Sequence, residues 1–234
     1  MISVCIATYN GGKYIKEQID SILLQLGRKD EIIISDDSST DDTLSIIKSY
    51  NDPRIKIFFN KSTHSPIFNF ENAIRNAKGS YIFLADQDDI WLPNKINNTV
   101  DLLKQYDLVV SDCKVVDQNL NVLEESFFYK RNSGTGFCKN LFKNTYLGCC
   151  MAFRKEILCY ILPFPKRIAM HDIWIGLSVE LNGSSYFMHE PLILYRRHEN
   201  NVSFGGWNSK FLFSHKIKYR MEMLFEVLIR YYKR

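Results

Sequence analysis

Two aspartates one residue apart, Asp86 and Asp88 in Ala85-Asp86-Gln87-Asp88-Asp89, can bring their carboxylates into one small volume. Hard divalent cations such as Mg²⁺ and Mn²⁺ take oxygen ligands of this kind and keep positions open for substrate phosphates. An Asp-x-Asp turn with few other ligands therefore suits a metal carried by a diphosphate. Two more polar clusters accompany it, Thr8-Tyr9-Asn10 and Asp36-Asp37-Ser38-Ser39-Thr40-Asp41. The second is not an EF-hand loop, because Asp41 stands where the central Gly is needed and Ile47 where the bidentate Glu would fall. Gly11-Gly12-Lys13 is not the end of a P-loop, because Ala7 occupies the place of the first glycine and Tyr14 that of the metal-binding Ser or Thr. A G-x-G-x-x-G fingerprint is also missing after the first apolar run, which argues against a dinucleotide-dependent dehydrogenase.

The segments between these clusters explain why they belong together. Ile2 to Thr8 reads as a buried strand, and Ile15, Ile19, Ile22, Leu23 and Leu26 then recur at helical spacing. The cycle repeats as strand Glu31 to Ser35, a helix after Ser38 to Asp42, strand Ile55 to Phe59, a helix near Phe68 to Ala77 and strand Tyr81 to Ala85. Such alternation builds a mostly parallel sheet flanked by helices, an α/β fold, and ligands of these sheets bind beyond the carboxyl ends of the strands. All three polar clusters follow strand ends. The second half is less regular: Leu108 to Ser111, Lys114 to Val116, Cys149 to Phe153 and Pro191 to Arg197 read as strands, Asn119 to Asn121 as a turn and Asp172 to Leu181 as a helix ended by Asn182-Gly183.

With 234 residues, 46% of them hydrophobic, the chain can bury a full core but is short for two substantial domains. Its 13 tyrosines and 16 phenylalanines argue against disorder. The longest apolar runs are too short to span a bilayer, and the opening Met-Ile-Ser-Val-Cys-Ile lacks the basic region of a secretory signal, so a cytoplasmic location is expected. The six cysteines show no C-x-x-C spacing and predict free, buried thiols. The net charge is +4, yet the segment from Lys210 to Arg234 carries seven Lys and Arg against two Glu, leaving about −1 for the rest. The basicity belongs to the tail, and with no recognition motif in the body a nucleic-acid partner is not expected.

Three stretches, Val4-Cys5-Ile6-Ala7-Thr8-Tyr9-Asn10, Ile34-Ser35-Asp36-Asp37-Ser38-Ser39-Thr40-Asp41 and Gly79 to Trp91 with its Asp86-Gln87-Asp88-Asp89, together resemble the family 2 glycosyltransferases of GT-A fold. The resemblance covers roughly residues 1 to 200. It implies inverting transfer of a sugar from a nucleotide diphosphate donor to an acceptor hydroxyl, with Mg²⁺ or Mn²⁺. It places Thr8 and Asn10 at the nucleoside, Asp36 and Asp37 at the base and ribose, Asp86 near the ribose or metal, and Asp88 as the principal metal ligand. Met170-His171-Asp172-Ile173-Trp174 is similar to the family's Glu-Asp motif, which makes Asp172 the catalytic base, with His171 in place of the usual Glu. Tyr195-Arg196-Arg197-His198 resembles the late strand whose His completes the metal shell, and Leu147-Gly148-Cys149-Cys150 the loop bordering the acceptor. Trp174 and Trp91 are candidates for stacking on a sugar, with core packing as the alternative. Asp41 reads as a helix-start residue.

Asn69-Phe70-Glu71-Asn72 followed by residues 86 to 91 looks most like bacterial rhamnosyltransferases of surface-polysaccharide assembly, which implies dTDP-rhamnose as donor and a glycan or lipid-linked acceptor. The competing readings are a sugar-phosphate nucleotidylyltransferase, which would carry a Gly- and Arg-rich loop after the first strand, and a non-catalytic nucleotide-sugar-binding subunit. The expected organisation is a catalytic domain over residues 1 to 205 and a basic amphipathic helix over 206 to 234. In that helix Ile217, Met221, Leu224, Phe225, Leu228, Ile229 and Tyr232 make a stripe suited to peripheral contact with the inner face of the membrane. The same stripe would serve for packing on the catalytic domain or on a second copy in a homodimer.

Overall fold

The computed structural model describes residues 1–60, 64–199, 201 and 213–233, and side chains of the last segment from residue 217 onward. The first half follows the alternation in the sequence. It runs β1 (Ile2–Thr8), α1 (Ile15–Leu23), β2 (Glu31–Asp36), α2 (Thr43–Ser49), β3 (Ile55–Phe59), α3 (Pro66–Asn76) and β4 (Tyr81–Ala85). Ile32, Ile33 and Ile34 are all fully buried, as a strand covered on both faces requires. Helix α1 buries Ile15, Ile19 and Ile22 on one side, and α3 starts on a proline whose fixed φ suits the first turn.

The second half runs β5 (Ile90–Trp91), α4 (Lys95–Leu103), β6 (Leu108–Val116), β7 (Val122–Glu124), α5 (Phe127–Arg131), α6 (Phe137–Phe142), β8 (Met151–Arg154), α7 (Leu158–Ile161), α8 (His171–Asn182), β9 (Ser185–Arg196) and α9 (Phe213–Tyr232). The strand order is β3-β2-β1-β4-β8-β6-β9-β5, with β7 paired to β6. Strands β3, β2, β1 and β4 run parallel, whereas β8 is antiparallel to both β4 and β6. The two strands expected around residue 112 are one, β6, with its register to β9 broken at Ser111 to Lys114. The expected strand Cys149 to Phe153 starts later, after a 3₁₀ turn at Gly148–Cys150.

Two features of this sheet position chemistry. Thr8 and Asp36 form the last rung between β1 and β2, so their side chains meet. The two-residue strand β5 pairs Ile90 with Leu194 and Trp91 with Ile193, which lays the turn at residues 86–89 beside the end of β9. A strand this short leaves no period-2 signal, and it exists because β9 supplies its partner.

All six cysteines are free thiols, four buried and two, Cys138 and Cys159, exposed. The domain boundary expected at residues 205 and 206 lies outside the described residues, as do Lys210 and Arg234. Among the described residues no helix is long and apolar enough to cross a membrane.

Candidate active site

The loops after β1 and β2 are tied to each other before any ligand arrives. Asp36 is fully buried; its Oδ1 accepts from Thr8 Oγ1 at 2.9 Å and Ser39 Oγ at 2.6 Å, and its Oδ2 from the Ser39 amide at 2.8 Å. Asn10 has φ of 48° and accepts the Thr40 amide at 2.8 Å, which fixes the left-handed turn that Asn tolerates. Asp37 accepts from Asn60 Nδ2 at 3.0 Å and the Ser65 amide at 2.9 Å. Asp41, as its sequence context suggested, organises the start of α2, accepting the amides of Gly12 and Thr43. Thr8, Asn10, Asp36 and Asp37 thus lie together at the carboxyl edge, with Asp36 and Thr8 bracing the floor from inside.

Gln87 links this edge to the acidic turn. Its amide both accepts from the Tyr9 N–H at 2.9 Å and donates to the Tyr9 carbonyl at 3.0 Å. In the turn, Asp88 Oδ2 sits 2.7 Å from His198 Nε2 and accepts from Asn201 Nδ2 at 3.1 Å. The chain therefore brings together the two residues expected to share a metal, across 110 positions of sequence. Asp89 is fully buried, one of its oxygens accepting the Arg196 amide at 2.9 Å and the other having no partner. Ligand atoms of Asp86, Asp89 and Cys149 lie within 4.8 Å of one another. Burial, then the charges of Asp88, Cys150 and Asp172, raise the Asp86 carboxyl to about 8. An excess of close, desolvated carboxylates with an unsatisfied oxygen fits a hard divalent cation.

Asp172 stands in the first turn of α8. Its Oδ1 accepts the Ile173 amide at 2.6 Å, and its Oδ2 accepts from Asn144 Nδ2 at 3.3 Å. Burial raises its carboxyl to about 6, partly opposed by those two hydrogen bonds. A carboxyl held there changes charge close to the pH range in which a general base works. It also satisfies a free amide of the first turn of α8.

Two expectations about the neighbours, the tryptophans, are corrected. Trp174 is fully buried and donates its indole N–H to the Ile161 carbonyl at 2.9 Å, so it is a core residue and not a sugar platform. Trp91 is likewise buried, 5.7 Å from the Phe83 ring. Gly148 is buried, and a Cβ there would lie 2.4 Å from His171 Nε2, so its missing side chain admits the His171 ring. His171 packs on Phe70 at 4.2 Å, and burial lowers its imidazole to about 3. A ring that weakly basic is a poor substitute for Asp172. Gly148→Ala is expected to cost about 1–3 kcal/mol through overpacking, read as a lower urea midpoint; an unchanged midpoint would show that the His171 ring yields freely.

Arg196 has no role in the sequence reading although it lies only two residues before His198. Almost fully buried, it donates from Nε to the Asp88 carbonyl at 2.9 Å and from Nη1 to the Gln118 carbonyl at 3.2 Å, pairs with Glu17, and lies over the Tyr14 ring at 4.6 Å. Tyr14 also stacks on His198 at 4.9 Å. The only sign of Arg196 in the sequence was an arginine at the end of a largely apolar strand, a place where a surface charge is the ordinary reading. Asn144 and Asn201 gave none.

A family model described as Glycosyl transferase family 2 matches residues 3–161. The chain is 31% identical over 219 residues to the dTDP-rhamnosyl transferase RfbG of Shigella flexneri, spanning 83% of this chain and 72% of that protein. A shorter match, 38% identity over 104 residues, covers 44% of this chain and 41% of the Escherichia coli UDP-Glc:alpha-D-GlcNAc-diphosphoundecaprenol beta-1,3-glucosyltransferase WfaP. The solved structure of S. aureus TarS in complex with UDP-GlcNAc superposes with a TM-score of 0.72 at 19% identity, covering 95% of this chain and 71% of that one, a likeness of fold. With its GT-A architecture, its motif-bearing loops gathered at one sheet edge and a family match over most of the chain, the protein belongs to glycosyl transferase family 2.

Proposed function

We propose that the protein transfers a glycosyl group, with inversion, from a nucleotide diphosphate donor to a hydroxyl of a glycan or lipid-linked acceptor in bacterial surface-polysaccharide synthesis, at the cytoplasmic face of the membrane. The observation that carries this reading is the meeting of Asp88 with His198 at 2.7 Å in the acidic turn, which Gln87 ties to the loop after β1. A candidate diphosphate-and-metal site then sits at the sheet edge that also carries the nucleoside loops.

Each residue has work that its surroundings suit. Thr8, Asn10, Asp36 and Asp37 shape the nucleoside end. Asp88, with His198 and Asp86, would hold Mg²⁺ or Mn²⁺, which supplies positive charge where the departing diphosphate gains negative charge. Arg196 holds the turn through the Asp88 carbonyl, so the carboxylate is presented without rearrangement. Asp172, oriented by Asn144, removes the acceptor proton as the hydroxyl attacks the anomeric carbon from the face opposite the leaving group.

For the donor, similarity to RfbG and the residues 69–91 favour dTDP-rhamnose. The acceptor reading draws on WfaP, whose name describes a diphosphoundecaprenol-linked substrate. Thermal shift with dTDP, UDP and GDP in Mg²⁺ ranks the nucleotides. At a hundredfold excess over its dissociation constant, dTDP should stabilise by about 2.7 kcal/mol, several degrees in melting temperature. Stabilisation by UDP or GDP alone overturns the donor and leaves the reaction class intact.

A further inference from the structure

Helix α9 is apolar on two sides. Met223 and Val227 are buried against the domain, where α9 packs on α8 and α6. Arg220 and Arg230 secure this face by donating to the carbonyls of Phe142 and of Tyr160, Leu162 and Pro163. At 100° per residue, Ile217, Met221, Phe225 and Tyr232 fall on roughly the opposite side. They are 44%, 60%, 64% and 80% exposed. The stripe visible in the sequence therefore mostly faces outward, and intramolecular packing does not account for it. Phe142 at the end of α6, whose carbonyl accepts from Arg220, is itself 65% exposed beside the helix.

The charge around the stripe is chiefly positive. Lys139 and Lys143 are exposed on and after α6, Lys166 and Arg167 on the loop whose Pro163 carbonyl meets Arg230, and Lys218 and Lys233 on α9 itself. The acidic side chains on the helix are Glu222 and Glu226, both half-buried. A two-fold dimer through this stripe would set the same excess of cations face to face. Anionic headgroups neutralise it, while the apolar side chains enter the headgroup and acyl boundary.

We propose that the outward face of α9, with Phe142 and the flanking cations, is a docking surface for an anionic phospholipid bilayer. Helix α8, on which α9 lies, begins at the Asp172 turn, and Asn144, two residues past Phe142, donates to Asp172. Docking thereby anchors, through α9, the helix that begins at the proposed base, a consequence that rests on the transfer reading above, while the docking itself does not.

The test uses the full chain and sedimentation with vesicles of phosphatidylcholine alone or mixed equally with phosphatidylglycerol. The wild type should bind the anionic vesicles at least about tenfold more tightly, and less so in high salt. Met221→Ser combined with Phe225→Ser should lose at least about tenfold of that binding. Both positions are exposed, so melting temperature and nucleoside diphosphate binding should not change. Failure of the wild type to bind, equal binding by the double variant, or a dimer that the double variant dissolves would each overturn the proposal, the last assigning the face to a second copy. Transfer to a short water-soluble acceptor, assayed in parallel, separates the two readings. Its loss with vesicle binding kept strikes the reaction, and the reverse strikes the surface.

Discussion

Asp172→Asn is expected to cut turnover by about 10²- to 10⁴-fold while leaving donor affinity near the wild-type value, because a proton acceptor acts in the transition state and not in the ground state. The buried setting makes this variant unusually clean. Burial holds the Asp172 carboxyl at about 6 in the folded chain, above its ordinary value of 3.8. The protonated form is therefore the one that folding favours. Its contribution is complete below about pH 4 and is lost as the pH rises through about 6, so the ionised carboxylate costs the fold roughly 3 kcal/mol at pH 7. Asn keeps one oxygen for the Ile173 amide, loses the acceptor for Asn144 Nδ2, and carries no charge to desolvate, so stability at neutral pH should hold or rise. In the wild type, kcat/KM should fall tenfold per pH unit below about 6, as the base takes up its proton. Groups that face it titrate elsewhere, with Asp86 raised to about 8 and His171 lowered to about 3. Near wild-type turnover in Asp172→Asn, measured with a saturating donor, would place the base at another residue. Nucleotide binding without any turnover in the wild type would instead support the non-catalytic subunit.

Asp88→Asn should weaken binding of a nucleoside diphosphate with Mn²⁺ by about 30-fold or more, which corresponds to losing about 2 kcal/mol for one partner of a desolvated charge contact. Calorimetric titration with and without Mn²⁺ measures it, and the loss should be confined to the arm containing the metal. The fold should survive, since the side chain contacts His198 and Asn201 in the site and carries no part of the apolar core. Arg196→Met offers a comparison. It removes the donor to the Asp88 carbonyl and leaves Glu17 without its partner, so it should lower both the affinity and the melting temperature. Metal-supported affinity equal to wild type in Asp88→Asn would remove that residue from the diphosphate site and direct attention to the buried trio Asp86, Asp89 and Cys149.

What the sequence by itself determined is the set of local structures and the places where they stop. Short apolar, β-rich runs and helical spacing located β1 to β4 and the helices between them, and the polar runs at Thr8, Asp36 and after Ala85 marked the edge where a ligand belongs. These signals are legible because each depends on neighbours within a few residues. Only the tertiary structure decided which distant side chains share a volume. His198 and Asn201 reach Asp88 because β9 lies between β6 and β5, an arrangement that no local pattern encodes. Trp174 stayed open between sugar platform and core because residue type cannot tell a buried indole from an exposed one, and the His171 ring that fills the space over Gly148 comes from the distant helix α8. Helix α9 shows the same limit. Its spacing announced one apolar stripe, but both sides carry apolar residues, and the burial of Met223 and Val227 settled which side faces solvent.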